Sequence, residues 1–382
     1  MTDEALDNYI SALVSEAAIE LNSCGNLKQR LKDLVKKYIL HRDLQKTDMI
    51  RWPKGMLLLG LMRAGDLEMV CEYLDRWIES GVYITSIEDV FAGQMLLELV
   101  WKRHDKSEAA VSISDRRISV YTDGSDNMAK YLASCECDEE GSLPYSIKAH
   151  NEHIYADSIG MICPFLMMYG INAHQQKYID MAVLQIRNFM KNAIDEKTGL
   201  PYHGYRYKDH EKYGIIGWGR AVGWLMMGIA GCLSLVNMSE NNCDQINYGD
   251  KSFMTSISNM PQISEIMEEY KQLVDAVLEY QREDGLWGWN MPEVDSQTDT
   301  SASAMILYAL SQYPDCKIKQ NDHEVSEIIQ RGMNGLEKYI TKDGKVMQCQ
   351  AECGGFGIYP EKFGSYPWSV GMTLALFSSA SI

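Results

Sequence analysis

Stretches that are apolar on every side alternate along this chain with stretches in which apolar residues recur at intervals of three and four. The first kind opens six times on a glycine or alanine followed by a bulky residue: Gly55-Met56 in KGMLLLGLM, Gly93-Gln94 in AGQMLLELV, Gly160-Met161 in IGMICPFLMMYG, Gly223-Trp224 in VGWLMMGIAG, Ala304-Met305 in SAMILYALSQY and Gly371-Met372 in VGMTLALFSS. A helix that is apolar all round is buried on all sides, whereas one with a charged face lies at the surface. QKYIDMAVLQIRNFMKNAI (176–194) and ISEIMEEYKQLVDAVLEYQ (263–281) are of the second, amphipathic kind. A third element keeps register with both. CDEEGSLPYS, DEKTGLPYHGY, REDGLWGWN and TKDGKVMQC each set acidic residues and a glycine, a turn signal, before a short extended segment.

The repeating order is therefore outer helix, turn with short strand, inner helix. Six such hairpins closing on themselves predict an all-α fold, an (α/α)6 toroid forming a single domain over 1–382, with short β-strands in the loops at one mouth. An open solenoid would need a polar cap at its end. The last repeat, YPWSVGMTLALFSSASI, ends apolar instead, which favours closure onto the first. The polar stretch at 236–262 is predicted to be a surface insertion.

Composition narrows the function. With 36 basic against 53 acidic residues the net charge is −17, which disfavours nucleic acid, anionic membranes and long polyanionic substrates, all of which are held by Lys and Arg. The acidic, periodic N-terminus lacks the features of a secretory signal, and no run of about 18 apolar residues is evident. A cytoplasmic protein is expected, its ten cysteines reduced and mostly buried. Neither Cys135 with Cys137 nor Cys349 with Cys353 has zinc-site spacing, and no metal or organic cofactor is expected. Gly217-Trp218-Gly219 and Gly354-Gly355-Phe356-Gly357 lack the flanking elements of phosphate loops. His150 and His153 read as surface histidines.

If the inner helices run parallel, the residues a turn before each marker share one end of the ring. Those positions hold Trp52 with Arg51, Asp89, Asp157, Arg220, Thr300 with Ser301, and Trp368. Carboxylates, a guanidinium, indoles and hydroxyls around one pit make a sugar-sized pocket with acid and base groups. Asp and Ser are also ordinary helix caps, and that account stays open for Ser301 in particular. Arg220, flanked by Trp218 and Trp224, needs an anion from the protein or from a ligand. His203, just after the turn Gly199-Leu200-Pro201-Tyr202, points toward the same rim as Asp157.

These segments resemble the unsaturated glucuronyl and rhamnogalacturonyl hydrolases, glycoside hydrolase families 88 and 105, and the latter more closely. The resemblance runs from about Trp52 to Trp368. It rests on Ser86-Ile87-Glu88-Asp89, Tyr155-Ala156-Asp157-Ser158, Thr198-Gly199-Leu200-Pro201-Tyr202-His203, Trp218-Gly219-Arg220-Ala221-Val222-Gly223-Trp224 and Asp299-Thr300-Ser301-Ala302-Ser303-Ala304-Met305, in that order. Ser158 stands where the family commonly has a second acid, and Ala221-Val222 where it usually has Gly-Asn.

The resemblance implies a small oligosaccharide substrate made by a polysaccharide lyase and ending in a 4,5-unsaturated uronic acid, with galacturonate joined to rhamnose expected. It implies Asp157 as general acid and base, and Asp89 as its electrostatic partner. Arg220 would face the uronate carboxylate, His203 and Trp218 would hold the ring, and Trp52 and Trp368 would wall the site. Two other readings stay open: an inverting glycosidase acting on saturated sugars through Asp89 and Asp157, and a non-catalytic oligosaccharide-binding relative.

Overall fold

A computed structural model describes residues 2–23, 51–79, 84, 86–102, 113–145, 153–241, 251–313, 324–355 and 357–380; His150 and residues 242–250 of the expected insertion lie outside them. Among the described residues there are six inner helices: α2 (Trp52–Arg63), α4 (Gly93–Lys102), α6 (Ala156–Asn172), α8 (Gly219–Asn241), α11 (Thr300–Gln312) and α13 (Pro367–Ser379). They alternate with six outer ones: α1 (Asp3–Asn22), α3 (Leu67–Glu79), α5 (Asp115–Ser134), α7 (Gln176–Ala193), α10 (Pro261–Leu278) and α12 (Val325–Glu337). One further short helix, α9 (Lys251–Ser258), lies in the polar stretch and packs against α8 through its buried Met254 and Ile257.

Each inner helix packs on the next, from α2 through α4, α6, α8, α11 and α13, and α13 packs back along α2. That last contact closes the expected (α/α)6 ring. Inner helices such as α6, where every residue from Ser158 to Ile171 is buried, have no polar face because they meet neighbours all round. Outer helices keep a wet face. In α7, Tyr178, Ile179, Ala182, Val183, Ile186 and Phe189 turn inward at helical spacing. The stretch Gly219–Asn237 within α8 is in fact long and apolar enough to cross a membrane, but 89% of it is buried inside the protein, as suits a helix enclosed by the ring.

Short strands gather at the mouth formed by the inner-helix N-termini. β1 (His153–Tyr155), β2 (Tyr202–Arg206) and β3 (Lys212–Ile216) form an antiparallel sheet in that order, and β4 (Cys349–Gln350) pairs with β5 (Phe363–Gly364). Between the pairs Tyr202↔Ile216 and Gly204↔Tyr213, one residue of β2, His203, faces two of β3, Gly214 and Ile215. This is a β-bulge, with Gly214 at φ +81°, a backbone conformation that favours glycine.

Candidate active site

A cavity of about 410 Å³ opens at this mouth, a volume suited to a small sugar rather than a polymer. The starts of four inner helices supply most of its wall: Arg51 and Trp52 at α2, Glu88 before α4, Tyr155 and Asp157 at α6, and Trp218, Arg220 and Trp224 at α8. His203, Tyr145 and the loop carrying Glu352, Cys353 and Gly355 complete it.

Asp157 stands in the first turn of α6, where unpaired backbone N–H groups favour an anion. β1 runs straight into this helix, and its pairing Tyr155↔Gly204 sets His203 beside the carboxylate. The His203 Nε2 lies 3.2 Å from Asp157 Oδ2, and its Nδ1 lies 2.9 Å from the Tyr359 hydroxyl. The imidazole is buried between the rings of Trp218, at 4.4 Å, and Tyr155, at 4.8 Å.

Glu88 is a further carboxylate of the cavity, beside Asp157 and Glu352. It sits in a 3₁₀ turn, Ile87–Val90, and its Oε1 accepts the Tyr145 hydroxyl at 2.8 Å. Burial pushes its carboxyl above the usual range, against the Tyr145 hydrogen bond and the Arg51 charge, which both favour the anion. Burial and then the charges of Glu88 and Asp157 in turn hold the Tyr145 phenol protonated. Tyr145 is thus within electrostatic reach of both carboxylates. Burial likewise raises the Cys353 thiol to about 11, so at neutral pH it is a neutral wall and not a nucleophile.

The expected site residues divide. Asp157, His203, Trp52, Trp218, Arg220 and Trp224 all line the cavity. Asp89 is 1% exposed and absent from the lining: its Oδ2 accepts the Ser86 backbone N–H at 3.1 Å, a reciprocal cap that turns the side chain back into its own turn. The neighbouring Glu88 lines the cavity instead. Thr300 and Ser301 are also buried behind the wall. The Thr300 hydroxyl donates to the Met347 carbonyl and the Ser301 hydroxyl to Asp299, and neither residue lines the cavity.

Trp368 backs the wall instead of forming it. It packs on Trp52 at 4.9 Å and stacks on Tyr366 at 4.7 Å. Arg220 finds its anion within the protein. Its Nη1 lies 3.8 Å from Asp299, its two Nη atoms donate to the carbonyls of Gln350 and Ala351 at 2.7 and 2.9 Å, and the guanidinium packs on the rings of Trp218 and Trp368. Glu88, Tyr145, Glu352 and Tyr359 were not singled out from the sequence. Glu88 and Tyr145 lie within segments that were, in the first aspartate motif and an acidic turn, but no local pattern places either in a cavity.

The fold is a closed ring of six helical hairpins with acids, a histidine and tryptophans around one mouth. The sequence profile of Glycosyl Hydrolase Family 88 matches residues 28–380, and the chain belongs to that family of glycoside hydrolases. It is 23% identical over 325 residues to the Bacillus subtilis (strain 168) protein YesR, named as an unsaturated rhamnogalacturonyl hydrolase, with 82% of this chain and 83% of that one covered. Two solved structures share the fold. One, from Klebsiella pneumoniae, described as a possible member of family 105, superposes with a TM-score of 0.75 at 17% identity, covering all of this chain and 94% of its own. The other, an unsaturated glucuronyl hydrolase from Bacillus sp. GL1, gives 0.61 at 15% identity over 97% and 96% of the two chains.

Proposed function

We propose that this enzyme removes a terminal 4,5-unsaturated uronic acid from lyase-generated oligosaccharides, with unsaturated galacturonyl-rhamnose as the substrate, and that Asp157 carries the proton chemistry. The observation that bears most weight is the Asp157 carboxylate in the cavity wall, with one oxygen engaged by His203 and aromatic rings beside it. The name of the Bacillus subtilis relative supports the choice of substrate.

In this reading Asp157 protonates C4 of the vinyl ether and leaves a cation shared by C5 and the ring oxygen. Water adds to C5, giving its proton to the Asp157 carboxylate. The hemiketal so formed opens at the C5–ring oxygen bond, C1 becomes an aldehyde, and the next sugar leaves as the alcohol. The acid is regenerated, and the balance is the addition of water. Glu88, with its raised proton affinity and the Tyr145 hydroxyl, is the second acidic group, taking the part expected of Asp89. Arg51, exposed at the rim, supplies positive charge beside an anionic ring, while Arg220, in the buried wall, is held by Asp299.

The test is to follow the ultraviolet absorbance of unsaturated disaccharides from lyase digests of pectin, ulvan, heparin and chondroitin. The wild-type enzyme is expected to bleach the pectin-derived substrate. Asp157→Asn should reduce the rate by about 10²–10⁴-fold with an unchanged circular dichroism spectrum. Undiminished bleaching by that variant overturns the role of Asp157. Release of reducing sugar from saturated oligosaccharides, with no bleaching, identifies an ordinary inverting glycosidase instead.

A further inference from the structure

We propose that Tyr359 fixes the tautomer of His203 so that Nε2–H points at Asp157 Oδ2, leaving Oδ1 as the oxygen that carries the catalytic proton. This rests on the assignment of Asp157 above and deepens it. Tyr359 is absent from the cavity lining, so it acts through His203 as a positioning residue.

The argument begins in the bulge opposite His203. The extra residue in β3 takes Ile215 out of the regular ladder, and its N–H donates to the Tyr359 hydroxyl oxygen at 3.3 Å. With a donor already on that oxygen, the tyrosine's own proton needs an acceptor. The acceptor in place is His203 Nδ1, at 2.9 Å. A neutral imidazole accepting at Nδ1 carries its hydrogen on Nε2, which then donates to Asp157 Oδ2 across 3.2 Å. Burial holds the Tyr359 phenol well above its ordinary pKa, consistent with a hydroxyl that keeps its proton.

The opposite tautomer has a different consequence. Nδ1–H would face an oxygen that already accepts from Ile215, and Nε2 would present a lone pair to Asp157. That arrangement draws the acid proton onto Oδ2, where it is hydrogen-bonded to the histidine or given up to it and is directed away from C4. Donation from Nε2 prevents this: Oδ2 stays an acceptor and the acid proton resides on Oδ1. The rings of Trp218 and Tyr155 around the imidazole keep it from turning over and exchanging its two nitrogens.

The experiment is selective ¹⁵N-histidine labelling with long-range proton–nitrogen correlation, which reports which ring nitrogen is protonated; His203→Gln identifies the signal. The wild-type protein is expected to show a neutral His203 protonated at Nε2. Tyr359→Phe keeps the ring and removes only the hydroxyl. It should give a mixture of tautomers and lower kcat on the unsaturated disaccharide about tenfold, with KM moving by less than about twofold. A wild-type His203 protonated at Nδ1, or the same single tautomer in wild type and variant, overturns the proposal. The wild-type spectrum alone decides the first point, whatever the stability of the variant. Absence of turnover by wild type on every unsaturated substrate would sink the functional reading and leave the tautomer measurement standing.

Discussion

Two neighbouring acids, Glu88 and Asp89, face different surroundings, because a 3₁₀ turn presents them in different directions. Asp89 is occupied by the backbone of Ser86, while Glu88 reaches the cavity and meets Tyr145. Glu88→Gln is therefore expected to lower kcat/KM on the unsaturated disaccharide by about tenfold to a hundredfold without loss of folding. Asp89→Ala should instead cost about 1 kcal/mol of stability, the usual worth of a capping interaction, measured by denaturant unfolding. If the aspartate variant loses catalysis at unchanged stability and the glutamate variant does not, the assignment is reversed. At this scale the sequence made Asp157, His203 and Trp218 legible because each stands at a fixed distance from a helix marker or a turn. It did not distinguish Glu88 from Asp89 or reveal that the Thr300 and Ser301 hydroxyls are taken up within the protein, since each outcome depends on a hydrogen-bond partner. For Thr300 that partner, the Met347 carbonyl, is 47 residues away in the sequence.

The elements owe their arrangement to small residues where inner helices touch. A Cβ on Gly371 of α13 would stand 2.4 Å from the Met56 carbonyl oxygen of α2, and one on Gly60 of α2 would stand 2.5 Å from the Gly371 carbonyl. These are backbone atoms, which cannot move aside as a side chain can. Gly371→Ala should accordingly destabilise the protein by about 1–3 kcal/mol, although alanine is intrinsically favoured over glycine within a helix by about 1 kcal/mol. Thermal unfolding of this variant is the check, and a gain in melting temperature would show that the two helices can separate at little cost. Gly371 is visible in the sequence as a marker, whereas Gly60 is not. That the two face each other across the junction between the last inner helix and the first is a property of closure.

Across the whole molecule, ion pairing ties the ring together at the end opposite the cavity, where the inner helices finish. Arg63 at the end of α2 forms a bidentate pair with Glu98 of α4 at 2.6 Å for both bonds, and its Nε donates to the Tyr308 hydroxyl of α11 at 2.8 Å. Burial alone would raise the Glu98 carboxyl, but the charge and hydrogen bonds of Arg63 outweigh it and hold the pKa below its ordinary value. The sign follows: a carboxyl depressed in the folded state contributes stability that is present above its unfolded pKa and is lost as the pH falls through the folded one. Arg63→Met should cost roughly 3 kcal/mol or more by leaving Glu98 buried and uncompensated. It should also move the acid-unfolding midpoint to higher pH, because the carboxyl must then be protonated sooner. An unchanged acid midpoint in this variant would count against the pair as a clamp.

The net charge of −17 disfavours polyanionic partners, yet positive charge is present locally: Arg51 stands in the cavity lining, beside an Arg220 already engaged by Asp299. Hydrophobic periodicity by itself determined the six hairpins and which helix of each is buried, because burial on all sides or on one side is written directly into residue spacing. Tertiary structure decided closure, which acid faces the cavity and how His203 is held. Those outcomes rest on contacts between residues far apart in sequence, Gly371 with Met56 and Tyr359 with His203 among them, whose partners are chosen only when the ring has formed.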